Sequence, residues 1–335
     1  MLIKRLLLAV SLLSCTFVVA TTPAHALAEP TYIIDPSLSA LEQADAATIR
    51  NAITKAANEY GYTGFTAVIY APTLNGANWA FNELAKISCP LGSVENLASG
   101  TAIADLSLGR CIVFKATPIS YPNVAKNAES VAYHEVFHLA QAIRGGLKPM
   151  GARIDDMRWI YEGTAEIGGY QPQLSSGKLT QNSLIALLRD SAMNTSSSLT
   201  QISNAWVDDS IALVSMPFLR TNAMYSRSYL AAHYLTTITS NEKVMKDYFA
   251  EAGRLGDHVA AFTSTFGMTV SEFDAKFSSW IGGWTAPSAS TTKANSPQRS
   301  VKIGGSCSVL NATSKVGGKK VTCKRVAKRL TWTKS

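Results

Sequence analysis

Between positions 35 and 60 the apolar residues Leu38, Leu41, Ala46, Ile49, Ile53, Ala56, Ala57 and Tyr60 recur with a mostly helical period, and Gly61 follows as a stop. The next apolar block, Phe65–Ala71, is a run of strand formers ended by Pro72. A helix packed on a strand is the predicted opening. Asn78–Asn82 alternates weakly, and Arg110–Ala116 is a second strand-like run closed near Pro118, so these segments read as a small sheet. Past the turn at Tyr121-Pro122-Asn123 the helical period returns over Val124–Arg144, where Gly145-Gly146 ends it. Ala132, Val136, Leu139, Ala140 and Ile143 form an apolar face suited to packing on the sheet.

Asp155-Asp156 offers N-caps for another helix, beginning near Met157. Gly163 falls inside it at a cost of about 1 kcal/mol relative to alanine, which marks a place where another backbone or a metal site comes close. The polar, Ser-rich stretch Gln171–Asp209 reads as loop-like or partly helical. Helical patterns resume at Met224–Ile238, Asn241–Ala252, Val259–Phe266 and Ser271–Ile281. The expected class is α+β, with a small sheet first and a mostly helical half after it.

Composition agrees with a globular chain: 47% of the 335 residues are apolar and 16% charged. The N-terminus departs from that average. Lys4-Arg5 precedes the apolar run Leu6–Ala20, and Ala24-His25-Ala26 or Ala26-Leu27-Ala28 supplies small residues for cleavage, so residues 1–28 read as a signal peptide and the rest as secreted. A lipoprotein signal ending at Cys15 is the competing reading, although the apolar run continues through Phe17-Val18-Val19. No later stretch has the roughly 18 uninterrupted apolar residues of a membrane span. Of the five cysteines, Cys89, Cys111, Cys307 and Cys323 follow the signal; their placement favours disulfides Cys89–Cys111 and Cys307–Cys323. A four-thiolate zinc site lacks any Cys-x-x-Cys spacing.

The formal charge of +8 is unevenly distributed. From Thr285 onward there are 11 Lys or Arg and no acid; with Lys4 and Arg5 set aside, 18 basic residues face all 23 acids in between, a net −5. Residues 285–300 have the composition of a flexible linker, and residues 301–335 form a small basic module that needs a disulfide staple. The module resembles short Cys- and Trp-containing C-terminal modules of secreted actinobacterial proteins. Its charge suits an anionic partner such as a cell-wall polymer, or else a merely solvated tail. Nucleic acid is a poor fit, because Trp332 alone offers an aromatic platform.

The chemistry concentrates in Ser130–Gln141, which contains His134-Glu135-x-x-His138. On a helix the two imidazoles lie one turn apart on one face and can converge on one metal ion, with Glu135 beside them as a general base. A catalytic zinc commonly takes a third protein ligand, and Glu162, 24 residues further on, allows a loop and a return helix. Glu166, one turn beyond, can accept a hydrogen bond from the outer nitrogen of a histidine ligand.

His134-Glu135-x-x-His138 followed by Trp159-x-x-Glu162-Gly163-x-Ala165-Glu166 resembles the gluzincin branch of zinc metallopeptidases, over roughly Leu41–Trp284. The pattern from Tyr225 through Tyr229-Leu230-Ala231-Ala232-His233-Tyr234-Leu235, and then Phe266 to Trp280, resembles the helical half of short secreted members. The resemblance implies a two-lobed zincin fold over residues 29–284, Zn2+ between the lobes on His134, His138 and Glu162, and a peptide or protein substrate. It also implies a sheet-edge strand that aligns the substrate, for which Arg110–Ala116 is the candidate. Tyr225, with Tyr229 and His233 behind it, is the candidate donor to a tetrahedral oxyanion. A Gly-x-Met-Glu-Asn-like segment is missing upstream, which points away from aminopeptidases toward an endopeptidase. The alternative is a non-catalytic zincin-fold surface protein held on the cell envelope by its basic module.

Overall fold

The computed structural model describes residues 29–89, 93–99, 102–105, 109–121, 125–145, 155–193, 197–208, 218–285, 313–316, 319–326 and 329–334. Chain contacts divide it into two units, Met1–Ala286 and Pro287–Ser335. The larger unit is mixed α+β and mostly helical, with a small four-stranded sheet and a two-stranded pair among the described residues.

The sheet contains β1 (Thr31–Ile34), β2 (Thr66–Tyr70), β3 (Ala102–Ala104) and β4 (Cys111–Lys115), in the order β1-β2-β4-β3. The first three in that order run parallel, and β3 pairs antiparallel with β4. Helix α1 (Ala40–Tyr60) makes the crossover from β1 to β2. Ser39 caps it in a reciprocal box with Glu42, and Gly61, at φ 67°, closes it in the left-handed conformation that glycine tolerates best.

Alternation along the strands loads both faces of the sheet. Ala67, Ile69, Ile112 and Phe114 join α1 and Ala132, Tyr133, Val136 and Leu139 of α4 (Ala128–Arg144) in one core cluster. Val68, Tyr70, Cys111 and Val113 join Ala77, Ala80 and Leu84 of α2 (Leu74–Lys86) in another, which also includes Leu97 of α3 (Val94–Ser99). The Cys89–Cys111 disulfide ties the segment after α2 to β4. Thus α4 has a rigid sheet behind it.

Two expected features of this half are corrected. Asn78–Asn82 lies within α2 and forms no strand: Thr73 caps the helix, and Ala77, Ala80 and Leu84 follow a helical period that the shorter alternation concealed. The Arg110–Ala116 segment does contain a strand, but β4 is interior, flanked by β2 and β3, and its backbone groups are committed on both sides. The edges are β1 and β3. The four-residue β1 was not anticipated, being too short for its pattern to register.

The helical half comprises α5 (Arg158–Ser175), α6 (Gln181–Ala192), α7 (Leu199–Asp208), α8 (Phe218–Ile238), α9 (Tyr248–Leu255), α10 (His258–Phe266) and α11 (Val270–Gly283). A π-helical turn, Lys243–Asp247, leads into α9. The Gln171–Asp209 stretch, expected to be loop-like or partly helical, is mostly helical among its described residues, with Thr180 capping α6 and Leu184, Ile185 and Leu188 buried on one face. Asp155 and Asp156 are not the caps of α5; Asp155–Met157 is a 3-10 turn, and the Trp159 amide donates to the Ser203 hydroxyl at 3.1 Å. Trp159, Phe262, Phe273 and Phe277 lie in a large aromatic core behind α5.

Strands β7 (Thr313–Val316), β8 (Lys319–Val326) and β9 (Arg329–Lys334) make an antiparallel sheet in the second unit, while β5 (Ser120–Tyr121) and β6 (Lys126–Asn127) form a small hairpin before α4. Cys307 and residues 286–312 lie outside the described residues, as does the proposed signal segment. No helix among the described residues is long and apolar enough to cross a membrane.

Two stability predictions arise from this architecture. The Cys89–Cys111 bond closes a loop of 22-residue separation, so its removal by Cys89→Ala/Cys111→Ala should cost about 3 kcal/mol in urea unfolding. Burial lowers the pKa of His258 to about 4, although Asp257 pulls the other way. Between that value and the unfolded value of about 6.5, the unfolded chain binds the extra proton, so this contribution is present above pH ~6.5 and lost as pH falls toward 4. Replacing His258 by Phe should flatten the fall in urea midpoint over that interval; an unchanged slope would contradict this account.

Candidate metal centre

Helix α4 begins with a capping box in which the Asn127 side chain accepts from the Ser130 amide and the Ser130 hydroxyl accepts from the Asn127 amide. The box sets the helical phase from which His134 and His138 project together. Glu162 comes from α5. Its approach depends on glycine: a Cβ on Gly169 would lie 2.8 Å from the Ser130 carbonyl oxygen and 3.3 Å from His134 Cβ. On another side of α5, a Cβ on Gly163 would lie 2.2 Å from the Ser228 carbonyl oxygen of α8, accounting for the glycine inside the helix.

Three donor atoms meet as a result. His134 Nε2 and His138 Nε2 are 3.1 Å apart, and each lies 3.4 Å from Glu162 Oε2. Ligands on a tetrahedral ion with bonds near 2.0–2.1 Å are separated by about 3.3–3.4 Å, so this triangle has the size the ion requires. His134, His138 and Glu162 are buried, at 6%, 4% and 3% exposure, and form a group that could hold a metal ion.

The surrounding hydrogen bonds decide where the ring protons sit. Gln141 Nε2 donates to the Tyr161 carbonyl at 2.9 Å and to the Thr164 hydroxyl at 2.7 Å, leaving Oε1 to face His138 Nδ1 at 2.7 Å. That oxygen can only accept, so Nδ1 carries the proton and Nε2 presents its lone pair inward. At His134, Nδ1 stands 3.1 Å from Glu166 Oε1, an ion-pair distance without full hydrogen-bond alignment. Both imidazoles therefore direct lone pairs at the same point as a carboxylate. A proton or a metal cation resolves the repulsion.

The charges follow the same logic. Burial acts against ionisation of Glu162, but His138, His134 and Arg158 hold its carboxyl well below the usual range. Arg158 Nε donates to Glu162 Oε1 at 3.1 Å, leaving Oε2 for the centre. Burial would lower the His134 pKa, yet Glu166, Glu162 and Glu135 push it up to about 10. Glu166 is held low against burial by Lys126 and His134. Glu135 is raised, chiefly by burial and further by Glu162, while His134, His138 and Lys126 oppose the shift. No described residue hydrogen-bonds its carboxylate, although His134, His138 and Glu162 act on it electrostatically.

Tyr225, on α8, has its ring 6.0 Å from that of His134, and burial together with Glu162, Glu135 and Glu166 holds its phenol well above the usual range. It is consequently a protonated donor beside the centre. Tyr229 and His233 are placed differently. The Tyr229 hydroxyl accepts from Gln181 at 2.9 Å, its ring packs on Tyr170, and His233 stacks on Tyr229; neither makes a hydrogen bond or ring contact with the histidine pair. Sequence reasoning missed Gln141, Arg158 and Lys126. The first two had a readable signal, being three and four residues along a helix from His138 and Glu162 respectively; Lys126 had none.

Gln141→Leu should remove the acceptor that fixes His138 and weaken metal binding about 10- to 100-fold, measured by chelator competition with Zn2+ as the probe ion. Unchanged affinity in a folded variant would show that the tautomer is set elsewhere. Comparison of the chain with family models, with curated proteins and with solved structures finds no match.

Proposed function

We propose that this chain is a secreted zinc peptidase, acting on peptide bonds within a peptide or protein substrate. The observation that carries the proposal is the convergence of His134 Nε2, His138 Nε2 and Glu162 Oε2, with Glu135 beside them and uncommitted to a described hydrogen-bond partner. Two nitrogens and one carboxylate oxygen suit zinc. The gluzincin resemblance of the two motifs supports the same reading, and the zincin-like fold is part of the proposal.

Bound zinc would supply Lewis acidity, polarising a carbonyl and acidifying water. Glu135 removes the proton of the attacking water and returns it to the departing amine. Its raised pKa makes the carboxylate a stronger proton acceptor than an ordinary glutamate, while a carboxyl remains far more acidic than the ammonium of the departing amine and can still pass the proton on. The protonated phenol of Tyr225 donates a hydrogen bond to the oxyanion. Arg158 occupies the outer oxygen of Glu162 and favours one-oxygen ligation, while Gln141 and Glu166 orient the two imidazoles. Export by the N-terminal segment and attachment to an anionic cell-envelope polymer through the basic second unit complete the proposal.

The deep burial of the three donor residues favours one other reading, a closed site in a binding protein without turnover. Glu135 distinguishes the two. In a peptide-library assay with and without chelator, the wild-type chain should cleave only when loaded with zinc. Glu135→Gln should keep stoichiometric zinc and lose at least about 100-fold in kcat/KM. Full activity in that variant would exclude the assigned role, and zinc binding without cleavage in the wild type would favour the binding protein.

A further inference from the structure

Lys126 lies outside both metal motifs, yet its side chain enters the centre. It is the first residue of the two-residue strand β6, paired antiparallel with Tyr121 of β5, and immediately precedes the Asn127 cap of α4. Its Nζ bonds Glu166 Oε1, the same oxygen that stands 3.1 Å from His134 Nδ1. It also lies 4.8 Å from the centroid of the Tyr225 ring. One ammonium thus reaches groups on α5 and α8, and through Glu166 it bears on a histidine of α4.

The backbone is built to aim it there. Ala125 has φ 52°, one of two non-glycine residues with positive φ among the described residues, and its carbonyl accepts from Gln173 Nε2 of α5 at 2.6 Å. Such a conformation persists only where surrounding contacts impose it. Side-chain exposure is 17% for Lys126 and 2% for Glu166, so the pair has given up most of its water. An apolar residue would fill this space without that desolvation, whereas an ammonium holds a buried carboxylate charged and in place.

We infer that Lys126 is a positioning residue: by holding Glu166 Oε1 against His134 and supporting the Tyr225 ring, it governs how tightly the His134–His138–Glu162 group binds its ion. The inference rests on the metal reading proposed above. The action runs through Glu166: without the ammonium, the carboxylate loses its stronger partner and no longer fixes the orientation of His134. The cation–π contact adds a restraint on the ring of Tyr225.

The test measures zinc affinity of the full chain by competition with a chromogenic chelator, a readout independent of hydrolysis. Lys126→Met should bind zinc about 10- to 100-fold more weakly than wild type, and Lys126→Arg should recover most of the loss. In a Glu166→Gln background, Lys126→Met should add little further loss, because its route of action is already removed. Equal affinity in folded Lys126→Met and wild type, or full additivity with Glu166→Gln, would overturn the assignment. If Lys126→Met fails to fold, Lys126→Gln takes its place with the same expected loss and the same contrary result. A wild-type chain that takes up no zinc would defeat the metal reading itself, an outcome distinct from failure of the Lys126 assignment alone.

Discussion

Two imidazole lone pairs and one carboxylate oxygen face one another at 3.1–3.4 Å inside the protein, and much of the larger unit is arranged to keep them there. Such a triangle is repulsive on its own. It persists because each donor is held from behind: His138 by Gln141, His134 by Glu166, and Glu162 by Arg158. The same contacts keep the lone pairs directed inward: Gln141 accepts the outer ring proton of His138, and the Glu166 carboxylate faces the outer nitrogen of His134 at 3.1 Å. Positive charge at the centre relieves the strain, and a tetrahedral ion fits the spacing.

This requirement reaches into the fold through the packing of α4 and α5. The sheet and α1 form a firm backing for α4, with alternating strand residues filling a core on each sheet face. The aromatic core around Trp159 backs α5. Between the two helices, Gly169 permits an approach that an added Cβ would prevent, and Gly163 allows α8 equally close on another side. That second approach helps place Tyr225 beside His134. Close-packed helices transmit small displacements, so the lengths and capping of elements remote from the triangle still bear on its geometry.

Charge balance adds a further layer. Glu135, Glu162 and Glu166 are buried carboxylates, and Arg158 and Lys126 are the cations set against them. The two cations neutralise the outer acids differently. Arg158 takes the outer oxygen of a donor residue, whereas Lys126 pairs with the carboxylate that orients a donor residue. Glu135 is left without a comparable partner, and burial raises its pKa. The three acids therefore differ in environment although all lie within two adjacent helices, which is how one small site can support distinct tasks.

The metal-capable triad was legible in the sequence, because a helix places residues four apart on one face and the glutamate motif carries its own family-like context. Helix-forming periods likewise predicted most of the C-terminal half. Asn78–Asn82 misled because a short alternation competes with a helical period when a segment is amphipathic over few residues. The interior position of β4 was invisible for another reason: strand order depends on pairing with β2 and β3, and no local pattern records it. Sequence alone determined which residues could supply the chemistry, through local spacing imposed by backbone geometry. Only the tertiary structure decided that Gln141, Arg158 and Lys126 would hold those residues in position, because their roles depend on contacts between elements, made where glycines let helices approach and burial makes each unpaired charge costly.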